Sequence, residues 1–167
     1  CDVVPLIGIN RYFVKEGLNK FKSKKNLGLK SISEICKINS DPKTYDLGFI
    51  YGPRINAAGR LGYSNYGAKL LSTTKQDEAK KLSYKLNKLN EERKIIENNF
   101  LEDIYKIAEK KNKDSVLVIY KDNLHEGIIG ILASRLKDRY NKPVIILTGN
   151  GIILKASARS ILGFNIG

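Results

Sequence analysis

Hydrophobic residues recur along the middle of the chain at steps of three and four. Between Thr74 and about Lys111 the sequence contains no Gly or Pro. This spacing predicts one long amphipathic helix of about 37 residues, about 55 Å long at 1.5 Å per residue. Its apolar positions are Ala79, Leu82, Leu86, Leu89, Ile96, Phe100, Ile104 and Ile107. A capping box of Thr73 with Gln76 can begin the helix, and Thr74 is the alternative cap.

The part of the chain before this helix predicts shorter helices separated by turns. Helical spacing runs over Tyr12–Leu18, a serine can cap a short helix that ends near Ile38, and a further helix runs toward Phe49. We interpret Gly52–Arg60 as a loop because Gly and Pro begin it. The predicted buried set is Leu18, Leu29, Ile32, Ile35, Leu47 and Phe49.

The last third of the chain predicts an α/β arrangement. Val116–Tyr120 is a continuous apolar run, which predicts a buried, central strand, and Val144–Leu147 predicts a second strand. Between them, Gly127–Arg139 has apolar residues on one helical face, so the three segments predict a strand, helix, strand unit. Gly149–Gly151 predicts a tight turn, and Ile152–Leu154 its hairpin partner.

A lone coiled-coil strand is an alternative for the long helix, because its apolar spacing is nearly heptad. Arg93 argues against that alternative, since it stands where the seam requires an apolar residue. Arg93 and Lys94 would then face whatever the helix packs on, either a protein domain or a strand of nucleic acid.

The charge balance favours a polyanionic partner. The chain carries 30 Lys and Arg against 17 Asp and Glu, a net charge of +13 on 18.8 kDa. For the lysines at 20, 22, 24 and 25, solubility alone is a sufficient explanation. No apolar run approaches the roughly 18 residues of a membrane span, so we expect a soluble, cytoplasmic protein without membrane partners. The chain contains no Met, so we expect it to be a piece of a longer protein.

Two arginine-bearing segments, Gly52–Arg60 and Lys155–Ser160, share one chemical character. In each, small residues surround a guanidinium, so that backbone amides and a planar donor group can approach a phosphate. We interpret both as loops that grip anions and together clamp a nucleic-acid strand. Within the first, Asn56 either bonds a base edge or sugar or serves as a turn former.

Other candidate residues are weaker when taken alone. His125 stands at the end of the loop that enters the Gly127 helix, where phosphate binding is physically reasonable, although a lone loop histidine is more often incidental. Asp2 is a single carboxylate near the start of the chain. Cys1 and Cys36 have no metal-like spacing, and no nucleophile and base pair can be built from one histidine. The chain alone therefore lacks a complete active site.

Several sequence blocks nevertheless occur together and in order. They are Asp2–Leu6 followed by Asn10-Arg11, Gly17-Leu18, Gly48–Gly62, Leu89-Asn90 with Arg93-Lys94, His125 to Leu136, and Ser157–Ser160. Together they resemble RecJ, the bacterial single-strand-DNA-specific exonucleases of the DHH/DHHA1 phosphoesterase family. The resemblance runs along essentially the whole chain.

The resemblance implies an α/β fold in three parts: residues 1–74 as the C-terminal part of a DHH domain, 75–112 as a long connecting helix, and 113–167 as the N-terminal part of a DHHA1 domain. It also implies part of a 5′ to 3′ exonuclease of DNA repair and recombination. Mn or Mg ions would be held by Asp and His residues of the DHH domain, and single-stranded DNA would thread the gap between the domains.

The same resemblance implies roles for individual residues. Asp2 matches the last metal-ligand carboxylate of the DHH domain, while Arg54 or Arg60 and Ser157 match positions that hold the terminal 5′-phosphate. Arg159 matches the DHHA1 arginine that grips the strand. The candidate nucleic-acid contacts are therefore Arg54, Asn56, Arg60, Arg93, His125, Ser157, Arg159 and Ser160, with Asp2 as the metal candidate.

The chain departs from the family pattern at some positions. Leu124 stands where a bulky aromatic residue is typical, and Ala156 and Ala158 stand where glycines are common. The DHH triplet itself is not in the chain. Two alternatives therefore remain: a non-catalytic single-strand-binding module, and a DHH-family phosphodiesterase for short oligonucleotides. The latter would be expected to carry a glycine-rich stretch ending in His, which this sequence lacks.

Overall fold

Helices come first along the chain and a small sheet comes last, as the hydrophobic pattern predicts. The computed structural model describes residues 4–23, 25–149 and 152–166. In chain order the elements are α1 (Gly8–Lys22), α2 (Leu27–Ile35), α3 (Thr44–Asp46), a π-helical segment (Leu47–Tyr51), α4 (Gly52–Arg60), α5 (Asn65–Ser72), α6 (Gln76–Lys110), β1 (Leu117–Tyr120), α7 (Glu126–Tyr140), β2 (Val144–Gly149) and β3 (Leu154–Arg159).

The described residues form two compact units, an N-terminal unit up to Glu91 and a C-terminal unit from Glu92. Their boundary falls inside α6, so this helix contributes to both. None of the helices in the described part of the chain is long and apolar enough to cross a membrane.

The N-terminal unit packs α2, α4 and α5 together with the first turns of α6. Its buried apolar residues are Ile32, Tyr51, Ala57, Ala58, Leu70, Ala79, Leu86 and Leu89. Of the predicted buried set, Ile32 is buried and Leu18, Leu29, Ile35 and Leu47 are half-buried. The prediction for Phe49 is wrong, because this side chain is 68% exposed and Tyr51 fills the core instead.

The interpretation of Gly52–Arg60 as a loop is also wrong, since these residues form α4. The helical run begins at α3 and continues through the π-helical segment, whose wider turn places the Gly52 N–H on the Leu47 carbonyl. Pro53 has no N–H and is the second residue of α4, directly after this wide turn. The wide turn thus lets the helical run pass a Gly-Pro pair.

The single long helix is confirmed, because α6 is an uninterrupted α-helix of 35 residues. It is not a lone coiled-coil strand, because it buries apolar side chains within each unit. The predicted capping box of Thr73 with Gln76 is wrong, because α6 begins at Gln76 and the Thr73 hydroxyl accepts from the Lys75 N–H at 3.2 Å and donates to Glu78.

The C-terminal unit is a three-stranded sheet in the order β1-β2-β3, with α7 packed on it. Strands β1 and β2 are parallel and joined through α7, which confirms the strand, helix, strand unit, and β2 pairs with β3 as an antiparallel hairpin. The apolar core is Ile104, Ala108, Leu117, Ile119, Leu124, Ile128, Ile129, Leu132, Ala133, Leu136, Val144 and Ile146. The α/β fold class is therefore confirmed.

Two strand predictions are corrected in this unit. Among the described strands β1 lies at an edge rather than in the centre, and Val118 and Tyr120 are 43% and 46% exposed. Lys155–Ser160 was expected to be a loop, but β3 extends to Arg159, because its backbone pairs with β2. The hairpin partner predicted at Ile152–Leu154 begins only at its last residue, and Asn150 and Gly151 of the predicted turn lie outside the described residues.

Candidate nucleic-acid interface

The candidate interface of the C-terminal unit is built where β3 runs along α7. Alternate residues of a strand share one face, and two strand residues span about 6.6 Å, close to the 6 Å that four residues span in a helix. The polar side chains on this face of β3 therefore meet α7 at positions four residues apart. The three pairs are Lys155 with Glu126, Ser157 with Gly130, and Arg159 with Ser134.

The guanidinium of Arg159 is held in one orientation by neighbours on both elements. Its Nε donates to the Ser134 hydroxyl at 3.0 Å, and its Nη1 donates to the Ala158 carbonyl at 2.8 Å and to the Ser157 hydroxyl at 3.3 Å. Its Nη2 lies over Gly130, only 2.9 Å from where a Cβ atom would stand. The side chain is exposed, so the Nη2 edge can donate to a phosphate oxygen while the other contacts fix its direction.

His125 is the N-cap of α7, as its position in the sequence suggests. Its Nδ1 accepts from the Gly127 N–H at 3.1 Å, so the imidazole occupies one of the donors that a helix N-terminus offers to an anion. The preceding Leu124 is buried and ties the loop to β2 through its N–H, which donates to the Thr148 hydroxyl at 3.1 Å. Buried Leu124 therefore anchors the loop that leads to His125.

A cleft of about 410 Å³ opens beside His125, at the carboxyl ends of the parallel strands β1 and β2. This is the edge at which open α/β sheets bind ligands. The lining residues are Asn123, Leu124, Glu126, Thr148, Gly149, Ile153 and Lys155. Lys155 lines this cleft and is also one of the β3 residues that contact α7, so the cleft adjoins that row of residues.

Arg93 belongs to a charge cluster of the C-terminal unit. Its Nη1 lies 3.1 Å from Glu97 Oε2, and the other oxygen of this carboxylate lies 2.8 Å from Arg135 Nε. Glu97 is buried with a side chain 3% exposed, whereas the Arg135 side chain is 56% exposed. Glu97 and Arg135 were not among the sequence candidates. The spacing of four between Arg93 and Glu97 on a helix is the signal that could have shown this pair.

The three candidates in α4 do not share a face. A helix turns about 100° per residue, so Asn56 and Arg60 lie on one side, about 40° apart, and both are exposed. Arg54 lies about 200° from Asn56. Its Nε donates to the Asn87 side chain and its Nη1 to the Ile50 carbonyl, both at 2.9 Å. These contacts fasten α4 to α6 and leave three of its five N–H groups for other partners.

The remaining candidates bear on the end of β3 and on metal binding. The Ser160 hydroxyl donates to the Ile161 carbonyl at 3.3 Å, directly after β3. Asp2 lies outside the described residues. Across residues 4–23, 25–149 and 152–166, no three His, Cys, Asp or Glu side chains form a group that fits a metal ion.

Comparison with known proteins supports the resemblance seen in the sequence. Residues 113–167 match the DHHA1 domain model. The RecJ single-stranded-DNA-specific exonucleases of Haemophilus influenzae and Salmonella typhimurium are 37% and 40% identical to the chain, over 99% of its length. The chain spans 30% of the length of each of these relatives.

Solved structures agree in fold. Thermus thermophilus RecJ in complex with Mn²⁺ is 33% identical and superposes with a TM-score of 0.86, over 97% of this chain and 24% of its own. The Mg²⁺ complex of the same protein is 30% identical with a TM-score of 0.84, over 99% of this chain and 26% of its own. The chain is therefore similar to a segment of the RecJ exonucleases, and its residues 113–167 match the DHHA1 domain.

Proposed function

We propose that this chain is the strand-positioning part of a 5′ to 3′ exonuclease that acts on single-stranded DNA with Mn or Mg. The observation that carries the proposal is the fixed guanidinium of Arg159, held over Gly130 by two serine hydroxyls. A planar cation on an exposed side chain suits a phosphate oxygen. The similarity to RecJ supports single-stranded DNA as the polymer that is bound, and the net charge of +13 agrees with a polyanionic ligand.

In this proposal the chain binds and orients the strand. Arg159 and Ser157 contact phosphates at the C-terminal unit, and Asn56 and Arg60 do so from the exposed face of α4. Each charge-assisted hydrogen bond contributes about 1.5–3 kcal/mol. Three or four such contacts would supply much of the affinity for the strand, and contacts to a 5′-terminal phosphate would fix which bond is cut.

The test is the binding of fluorescent oligo-dT to the chain and to two arginine variants. Arg159→Ala should weaken binding about 10- to 100-fold through the lost charge-assisted contact. It should also reduce the slope of log K against log salt by about 0.7, the value for one phosphate contact on a single strand. The matched control is Arg139→Ala, which removes an exposed arginine from the same unit, where it packs on Tyr105. Equal binding by the two variants would reject the assignment of Arg159.

A second candidate function is that of a binding module that cleaves nothing by itself. It is favoured by the lack of a metal-binding group among the described residues. We propose this behaviour for the 167-residue chain in isolation. Incubation of the purified chain with Mn and end-labelled single-stranded DNA tests it: an unchanged oligonucleotide is expected, and a ladder of shortened products would contradict it.

A further inference from the structure

We propose that Tyr63 and Tyr66, together with Lys85, form a base-stacking site for single-stranded DNA on the N-terminal unit. This aromatic platform rests on the proposed function in its choice of ligand, but it uses residues that neither the sequence candidates nor the comparisons assign. In it, a DNA base stacks on the ring of Tyr63 and the neighbouring phosphates meet lysines of α6.

The platform is rigid before any ligand arrives. The two rings are nearly parallel, with centroids 5.6 Å apart and an interplanar angle of 15°. The Tyr63 N–H donates to the Ala58 carbonyl at 2.7 Å, which fastens the residue to the end of α4. Tyr66 packs against the core of the unit, and Lys85 Nζ lies 2.7 Å from its hydroxyl and 4.2 Å from its ring centroid. Binding therefore costs little ordering of the platform.

Tyr63 offers a surface to a ligand because about half of the residue is exposed. Tyr66 stacks on its ring and Lys85 Nζ lies 5.8 Å from the ring centroid, yet the residue is still 48% exposed. The hydroxyl of Tyr63 is not needed to hold the ring, since the stacking and the backbone hydrogen bond do so. An exposed, immobilised aromatic ring is the element on which proteins stack unpaired bases without regard to sequence.

The surroundings of the platform carry positive charge. Residues 79–90 of α6 contain four lysines and no acidic residue, and all four lysines are exposed. These are Lys80, Lys81, Lys85 and Lys88. Positions 81, 85 and 88 lie on one side of the helix, within about 60° of one another. Such a row suits a phosphate backbone, and its charge complementarity favours a nucleic acid over an uncharged apolar partner.

A second exposed ring pair shows what distinguishes the platform. Tyr45 and Phe49 stack with centroids 4.6 Å apart and are 62% and 68% exposed. Asp46 stands directly beside Tyr45 in the chain, and no row of lysines accompanies this pair. The contrast makes Tyr45 a useful control, since it is an exposed aromatic residue of the same unit without the cationic row.

The experiment measures oligo-dT binding by the 167-residue chain with single substitutions. Tyr63→Ala should weaken binding about 5- to 100-fold, the range for loss of one stacked base, whereas Tyr63→Phe should bind within about twofold of wild type. Tyr45→Ala should also bind as wild type does. With an abasic oligonucleotide of the same length, Tyr63→Ala and wild type should bind equally, because no base remains to stack.

A spectroscopic readout separates stacking from a structural effect. The chain has no Trp, so Tyr63→Trp introduces a single reporter, whose fluorescence a stacked base should quench. Tyr45→Trp is the matched control, because Tyr45 is 62% exposed and belongs to the same unit. Quenching only at position 63 supports the platform.

The outcomes distinguish this inference from the proposed function. If Arg159→Ala weakens binding but Tyr63→Ala does not and Tyr63→Trp is not quenched, the platform is rejected and the proposed function stands. Equal weakening by Tyr63→Ala on normal and abasic strands would also reject stacking. If the wild-type chain binds no single-stranded DNA at all, both the proposed function and the platform fail.

Discussion

Replacement of Gly130 by Ala tests whether the orientation of Arg159 matters for strand binding. A Cβ at position 130 would stand 2.9 Å from Arg159 Nη2 and 3.2 Å from the Ser157 hydroxyl. Ordinary contacts between such atoms begin at about 3.5 Å, so the guanidinium must move by about half an ångström or more. The substitution therefore displaces the cation without removing its charge.

The substitution should weaken binding without lowering the stability of the fold. The atom that must move is the end of a flexible side chain, and Ala is favoured over Gly inside a helix by about 1 kcal/mol. The free energy of unfolding should therefore be unchanged or rise by up to about 1 kcal/mol. Affinity for oligo-dT should fall by about 10- to 100-fold, the value of one charge-assisted hydrogen bond. The salt slope should stay as in wild type, because the charge remains.

Urea denaturation and fluorescence anisotropy at several salt concentrations measure these quantities. Gly17→Ala is the matched control: Gly17 lies inside α1, where nothing is within 4 Å of the added Cβ, so only the helix-propensity effect is expected. Wild-type affinity for Gly130→Ala, alongside weakened binding by Arg159→Ala, would refute the argument that the glycine sets the position of the guanidinium.

Three further predictions concern the packing and the titration of the two units. Glu97→Ala should lower the free energy of unfolding by about 3–5 kcal/mol, because it removes the buried carboxylate of an ion pair. Arg135→Ala should lower it by under about 1 kcal/mol, since 56% of the Arg135 side chain is exposed. Gly28→Ala would place a Cβ 2.1 Å from the Leu70 carbonyl oxygen and should cost about 3 kcal/mol or more. Burial raises the pKa of Tyr51 above its ordinary 10.0. Its neutral hydroxyl therefore stabilises the fold below pH 10, and that contribution is lost as the pH rises further. In Tyr51→Phe the free energy of unfolding should fall less steeply above pH 10.

Chemical denaturation monitored by circular dichroism checks all three. Equal losses for Glu97→Ala and Arg135→Ala would contradict the burial argument for the carboxylate. A Gly28→Ala variant as stable as wild type would show that α2 and α5 can separate without cost. If Tyr51→Phe and wild type lose stability in parallel above pH 10, another group causes the decline.

Regular periodicity made most of the architecture predictable. The long helix and the strand, helix, strand unit follow from steps of three and four or from continuous apolar runs. The position of His125 before α7 was predictable for the same reason, since a helix onset is visible in the sequence. Each of these elements can be predicted from the local spacing of its apolar and capping residues alone.

The two arginine segments were misinterpreted as loops because small residues do not indicate whether a segment forms a helix, a strand or a loop. Gly52–Arg60 is helical because a π turn precedes it and its alanines pack into a core, a tertiary effect that the Gly-Pro pair conceals. Lys155–Ser160 has no apolar alternation, and pairing with β2 makes it a strand up to Arg159. Two residues of α7, Ser134 and Gly130, help to position Arg159, and the sequence pattern shows their segment only as a helix.

Every second residue of β3 contacts every fourth residue of α7, and this match disfavours insertions and deletions within β3. A substitution changes one contact, but the insertion or deletion of a single codon within β3 would rotate all later side chains to the opposite side of the sheet. Ser157 and Arg159 would then turn away from the helix together. Homologous sequences should therefore agree in the length of this strand.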